Sequence, residues 1–223
     1  MRVATWNLQH DSVNADRRRS QHKKVLEVDA DVWVLTEAET GLVPVGYEHA
    51  TSEPIPGSGP PVHFTILATK SLERLPLPEV PTGVAGLFNL GDEAWLVVGI
   101  CMPWRLGAPP LPASAAPGAT TAPEQWTLVL ERLDVALQSL RSDRPKARVL
   151  LPGDFNQTLG GHVVGSHAGR AALSSLLARH ELSSTRMALS VPSRSATPWI
   201  TSADQRPGSR WIVGRTLTPA ECR

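Results

Sequence analysis

The sequence lacks most of the features that announce a compartment or a partner. Its two cysteines, Cys101 and Cys222, make neither a CxxC zinc pair nor a disulfide framework. The longest apolar stretch, Ala94 to Met102 with Gly99 inside it, is too short to span a bilayer and reads as a buried strand. The opening residues, MRVATWNLQHD, show no basic region followed by an apolar segment, so no secretory leader is visible. Charge of one sign is also lacking. Lys and Arg number 22 against 21 Asp and Glu, so no global field points to nucleic acid, a membrane surface or an acidic partner; only a local patch could. No internal repeat is found. The expectation is a soluble, cytoplasmic protein with no membrane segment and no indicated protein partner.

What is present suits a folded domain. Apolar residues make up 41% and charged residues 19% of 223, enough for a sizeable core in a single domain spanning 1–223. Strand-like runs alternate with helix-like runs. Arg2 to Trp6, Asp31 to Thr36, Val62 to Thr69, Ala94 to Cys101 and Arg148 to Leu151 have the apolar, β-branched composition of covered strands. Ala15 to Val28 reads as a helix that is strongly basic early, usually a solvated face. Pro103 to Pro123 is a loop or semi-rigid linker. Thr121-Ala-Pro-Glu124 has the form of a capping box, followed by Trp126, Leu130, Leu133, Leu137 and Leu140 at helical spacing. Gly169 to Arg179 is the next helix, and Thr197–Thr201 and Arg210–Val213 are further strand candidates. Interleaved helices and strands predict an α/β fold.

Three polar clusters follow apolar strands: Asn7 after Val3 to Trp6, Glu37 after Val32 to Thr36, and Asp154 with Asn156 after Val149 to Leu151 across Pro152-Gly153. Loops beyond the carboxyl ends of strands are where α/β proteins build sites. Two residues apart in an extended chain, Asp154 and Asn156 should point to one side. Together these side chains offer hard oxygen ligands and an amide donor, a set suited to Mg²⁺ or Mn²⁺ and not to zinc. Taken singly, each also has a plain reading as a turn former or a solvated side chain.

The wording and order of three segments resemble the endonuclease/exonuclease/phosphatase superfamily of metal-dependent phosphoesterases. They are Arg2-Val-Ala-Thr-Trp-Asn7, Asp31-Val-Trp-Val-Leu-Thr-Glu37 and Leu151-Pro-Gly-Asp-Phe-Asn156, with Gly169-Arg-Ala-Ala-Leu173 similar to the helix that follows. The resemblance implies a four-layer α/β/β/α sandwich and a phosphoester or phosphodiester hydrolase of the nuclease or phosphatase class. It implies that Asn7 and Glu37 hold the Mg²⁺ or Mn²⁺, that Asp154 orients the attacking water, and that Asn156 donates to a phosphate oxygen. The partner would be a phosphorylated substrate, with nucleic acid, sugar phosphate, inositol phosphate and phospholipid all open.

The sequence departs from that pattern twice. Where the family carries a His or Tyr shortly before a Pro, this chain reads Ile100-Cys-Met-Pro103, followed by Trp104 and Arg105. Near the end, where the family has an Asp-His pair and then Ser-Asp-His, the chain reads Ser209-Arg-Trp-Ile-Val-Gly-Arg215 with no His after His180. The expectation is a member truncated or frame-shifted at its C-terminus, missing its last strands, with hydrolysis weak or lost. The alternative is a non-catalytic domain of the same fold that binds a phosphorylated ligand. His10, His162 and His167 are the candidate substitutes for the missing base, and His63 is expected to pack within a strand.

Overall fold

The computed structural model describes residues 1–8, 15–58, 61–103, 118–159, 165–183 and 201–202. Strand β1 (Val3–Asn7) is buried along its whole length, as its β-branched and aromatic residues require. It pairs in parallel with β2 (Val32–Glu39), from Val3 opposite Val32 to Asn7 opposite Thr36. A parallel pair needs a crossover, and helix α1 (Ala15–Val28) lies in it. β3 (Glu48–Thr51) and β4 (Val62–Thr69) complete a sheet of order β1-β2-β4-β3. Between β2 and β3 stands a single 3-10 turn, Thr40–Leu42.

The second sheet contains β5 (Glu73–Leu75), β6 (Gly83–Leu90), β7 (Glu93–Cys101), β8 (Arg148–Leu151) and β10 (Thr201–Ser202), in the order β10-β8-β7-β6-β5. The two-residue β9 (Gly153–Asp154) continues beyond β8 along β7. Helices α2 (Ala122–Asp143) and α3 (His167–Arg179) pack on this sheet.

Burial follows these layers. Val25 of α1 packs with Trp6, Trp33, Leu35 and Ile66 on the first sheet. Leu133 and Leu137 of α2 and Leu173 and Leu176 of α3 are wholly buried with Leu96, Val98 and Leu151 of the second. Each such leucine contributes about 1.5–3 kcal/mol of transfer free energy. Val34, Leu67, Val84, Val97 and Leu150 join the two sheets face to face. The result is the predicted helix–sheet–sheet–helix order.

The capping box is present as read: Glu124 N donates to Thr121 Oγ1, and the Glu124 carboxylate accepts from Thr121 N at 2.9 Å. Helix α1 keeps its predicted bounds, and its charge is largely paired. Arg18 bonds Glu39 at 2.8 Å, Arg19 bonds Asp16, and Lys24 bonds Glu27 at 2.9 Å.

Four strands escaped the sequence reading, among them the two-residue β9 across Pro152-Gly153. β3 and β5 are short, and β6 carries two glycines where bulky residues were sought. One sits in a crowded place: a Cβ on Gly86 would lie 2.4 Å from Leu72 Cδ1 and 3.0 Å from Leu67 Cδ2. β10 touches the expected strand at Thr197–Thr201 only in its last residue, and Arg210–Val213 and the expected loss of final strands lie outside the described residues.

Candidate active site

The sheets bring three predicted side chains together, Asn7, Glu37 and Asp154, with the Asn156 backbone beside them. Asn7 is the last residue of β1 and 5% exposed. Glu37 lies within β2 and not beyond it, a correction to the sequence reading, and its φ of +52° breaks the pleat there. A bulky residue in the left-handed region is costly and persists where its surroundings over-determine it, commonly at functional sites. Asn7 Nδ2 donates to Glu37 Oε1 at 3.1 Å and to Asp154 Oδ2 at 2.5 Å. Two carboxylates from different sheets thus meet at one amide.

Asp154 reaches this point because Gly153 lets the chain run against β7. Gly153 has φ +152°, and a Cβ there would lie 1.9 Å from Ile100 O. Ile100 N donates to Pro152 O at 3.1 Å and Met102 N to Asp154 O at 2.7 Å. Asn156 joins by a route the sequence reading missed. It is not extended: its φ is +49°, and its backbone N–H donates to Asp154 Oδ1 at 3.0 Å. The short polar side chain tolerates that conformation. Its Nδ2 donates to Met102 O at 2.7 Å, which leaves the second amide hydrogen for another acceptor.

Burial pushes the Asp154 carboxyl above its ordinary value, against the opposing bonds from Asn7 and Asn156. Such a carboxylate gains from a cation beside it. Among the described residues no group of three or more His, Cys, Asp or Glu converges as a metal cluster. Two carboxylates and an amide nevertheless fit Mg²⁺, which takes one or two carboxylates and keeps several waters for exchange with phosphate oxygens.

Cys101 stands beside Asp154 in the β7–β9 register and is 3% exposed. Burial, then the Asp154 and Glu37 charges, push its thiol well above the ordinary range. It is a neutral, buried group, the plain reading of that residue. His63 sits on β4, half-buried, with Nδ1 bonded to Ser52 O at 2.8 Å. His167 opens α3 and is exposed. His10, His162, Trp104 and Arg105 lie outside the described residues.

No family model matches the chain, and no curated protein matches it. Solved structures do match. The human Nocturnin catalytic domain with bound sulfate anion has a TM-score of 0.55 at 15% identity, covering 88% of this chain and 80% of that one. Zebrafish (D. rerio) TDP2 complexed with single-strand DNA product has a TM-score of 0.52 at 16% identity, over 92% of this chain and 84% of that one. An endonuclease/exonuclease/phosphatase family protein from Bacteroides thetaiotaomicron has a TM-score of 0.50 at 15% identity, over 82% and 69%. The chain has the endonuclease/exonuclease/phosphatase fold. Identities this low carry the fold, and the activity has to be argued from the site.

Within this endonuclease/exonuclease/phosphatase fold, supporting residues came to light only in three dimensions. Trp126, read as one apolar position in the α2 stripe, is 4% exposed and donates its indole N–H to Phe155 O at 3.1 Å. That bond holds the peptide between Asp154 and Asn156. Gln157 Oε1 accepts from Ser166 N at 2.9 Å and ties the start of α3 to the same loop. An indole inside a stripe of leucines was the available signal for Trp126, because a buried Trp N–H usually finds a partner.

Proposed function

We propose that this chain is a divalent-cation-dependent phosphodiesterase of the nuclease-like class whose turnover is slow. The observation that carries the reading is the meeting of Glu37 and Asp154, from opposite sheets, at Asn7 Nδ2. Glu37 and Asn7 would hold Mg²⁺ or Mn²⁺. Bound there, the cation would neutralise charge developing on a phosphate oxygen. Asp154, fixed by Asn7 and by Asn156 N–H, would orient the attacking water. Asn156, its side chain steered by Met102 O, would turn its remaining amide hydrogen toward a phosphate oxygen. A phosphorylated substrate follows from that donor set. The single-strand DNA product in the TDP2 complex supports nucleic acid as the first class to try.

Slow turnover is inferred from Cys101. A buried, neutral thiol stands where the resemblance calls for His or Tyr, and it neither takes a proton as an imidazole does nor offers a strong donor. The same observation favours the second reading, a domain that binds a phosphorylated ligand without hydrolysing it.

Calorimetric titration of Mg²⁺ into wild type and Glu37→Gln tests the site; equal heats would remove Glu37 from it. Hydrolysis of bis-nitrophenyl phosphate with Asp154→Ala as control separates the readings. Metal-dependent turnover abolished by that substitution supports the enzyme. Binding without turnover supports the ligand-binding domain.

A further inference from the structure

The two halves of the candidate site hang on different sheets, so their separation is set by what packs between the sheets at that end. Over most of the interface the filling is apolar: Val32, Val34, Leu67, Val84, Val97 and Leu150 are buried there. At the site end it changes to hydroxyls. Thr36, which precedes Glu37, Thr65, its partner in the β2–β4 ladder, and Thr82, which precedes β6, are each 0% exposed.

Thr65 Oγ1 donates to Thr82 O at 2.7 Å, and the same carbonyl accepts from Cys101 N at 3.2 Å. Cys101 is the register partner of Asp154. A path therefore runs from Glu37 through Thr36 and Thr65 to Thr82, Cys101 and Asp154, and one side-chain hydrogen bond carries it across the gap between the sheets. The crossing is tight: a Cβ on Gly99 of β7 would lie 3.1 Å from both Thr65 Cγ2 and Val34 Cγ1. Among the described residues, two hydroxyls of this layer, Thr36 Oγ1 and Thr82 Oγ1, are buried with no hydrogen-bond partner. Leaving such a group unsatisfied costs about 1–3 kcal/mol, and buried hydroxyls of this kind are met by ordered water.

We propose that Thr65 is a positioning residue: its hydroxyl, bonded across the sheets to Thr82 O, fixes the gap between Glu37 and Asp154 and so the size of cation the site accepts. The proposal rests on reading Glu37 and Asn7 as a divalent-cation site whose water shell Asp154 closes from the other sheet. Mg²⁺ demands near-ideal octahedral geometry at about 2.0–2.1 Å, whereas Ca²⁺ takes a looser shell at about 2.3–2.6 Å. A gap held rigid selects the smaller ion. Valine at position 65 keeps the branched shape and removes the bond across the sheets; serine keeps the hydroxyl and loses only the methyl group.

The test is calorimetric titration of the full chain with Mg²⁺ and, separately, Ca²⁺, for wild type, Thr65→Val, Thr65→Ser and Glu37→Gln, with thermal melts as a check on folding. Thr65→Val lowers Mg²⁺ affinity by about tenfold, the lower end of the effect of losing an outer support, and Ca²⁺ affinity by less. Thr65→Ser retains the wild-type Mg²⁺/Ca²⁺ ratio. Thr65→Ala, which removes the same bond by truncation, shifts the ratio in the same direction and serves as the test if Thr65→Val does not fold. An unchanged ratio in a folded variant overturns the proposal while leaving the metal site standing. If wild type binds neither ion, or Glu37→Gln binds both as wild type does, the metal reading itself falls and takes this proposal with it.

Discussion

The two sheets hold their halves of the site by different means. Asn7 and Glu37 stand on neighbouring parallel strands whose ladder runs unbroken from Val3 to Asn7, extended by Leu8 N–H to Thr36 O at 2.9 Å. Asp154 and Asn156 stand on a two-residue strand and the turn after it. A few contacts hold that half: Ile100 N–H on Pro152 O, Met102 N–H on Asp154 O, Asn156 on Met102 O, and Trp126 on Phe155 O. A ladder spreads a local loss over many equivalent bonds, whereas a two-residue strand and a turn feel each one. The second-sheet half should therefore be the fragile one.

The largest expected effect is chemical. Asp154→Ala removes the group that faces both Asn7 and Asn156, and turnover of bis-nitrophenyl phosphate falls by at least about 10²-fold, the scale of lost proton-transfer assistance. Glu37→Gln breaks the first-sheet half, and its signature is loss of Mg²⁺ heat with little change in melting temperature. Equal destabilisation by the two would erase the contrast between the halves.

Gly153→Ala is the largest expected effect on stability. Its Cβ meets backbone and not a flexible side chain, so urea denaturation should show a loss of about 4 kcal/mol or failure to fold. Trp126→Phe keeps the ring and removes one buried bond, costing about 1–2 kcal/mol; turnover should fall more than Mg²⁺ affinity does, since Asn7 and Glu37 are untouched. An equal loss of Mg²⁺ affinity would erase the difference between the halves.

A pH effect probes the support behind the fragile half. Asp134 of α2 accepts from His180 Nε2 at 2.7 Å and from Arg179 at 2.8 Å, pinning α2 to the end of α3. Burial raises the Asp134 carboxyl, but the Arg179 and His180 bonds outweigh it and hold the group below its ordinary 3.8. A depressed folded value means that this stabilisation is fully present above pH 3.8 and is lost as acid carries the pH down through the folded value. Acid melts of wild type should therefore steepen below about pH 4, and Asp134→Asn should flatten that dependence. The smallest effect belongs to the first sheet. Arg18→Ala removes a partly exposed ion pair with Glu39 and should cost less than about 1 kcal/mol in urea denaturation.

The layers of this fold were legible because each rests on a local pattern. Helix α1 and the start of α2 follow from composition and a capping box, and β4, β7 and β8 from apolar, β-branched runs. β6 was hidden because Gly83 and Gly86 stand where side chains from outside the strand, Leu77, Val80 and Ile100 at one and Leu72 and Leu67 at the other, approach it, a demand set by packing and not by the strand's own residues. In the site, Asn7, Glu37, Asp154 and Asn156 were each visible as polar residues at strand ends. The positive φ at Glu37 and Asn156 was not, since both have ordinary neighbours in the chain.

Residue type and local order, then, determined the kind of chemistry this chain can host: two carboxylates and two amides at the ends of buried strands, and no ligand set for zinc. Only the tertiary structure decided that those groups meet. Asn7 and Asp154 are 147 residues apart, and the bond between them exists because two sheets pack face to face. The hydroxyl layer at that end had no sequence signature, because Thr36, Thr65 and Thr82 come from three separate segments. A pattern along one strand reports the face that strand buries, and it carries no record of what the opposing sheet brings to meet it.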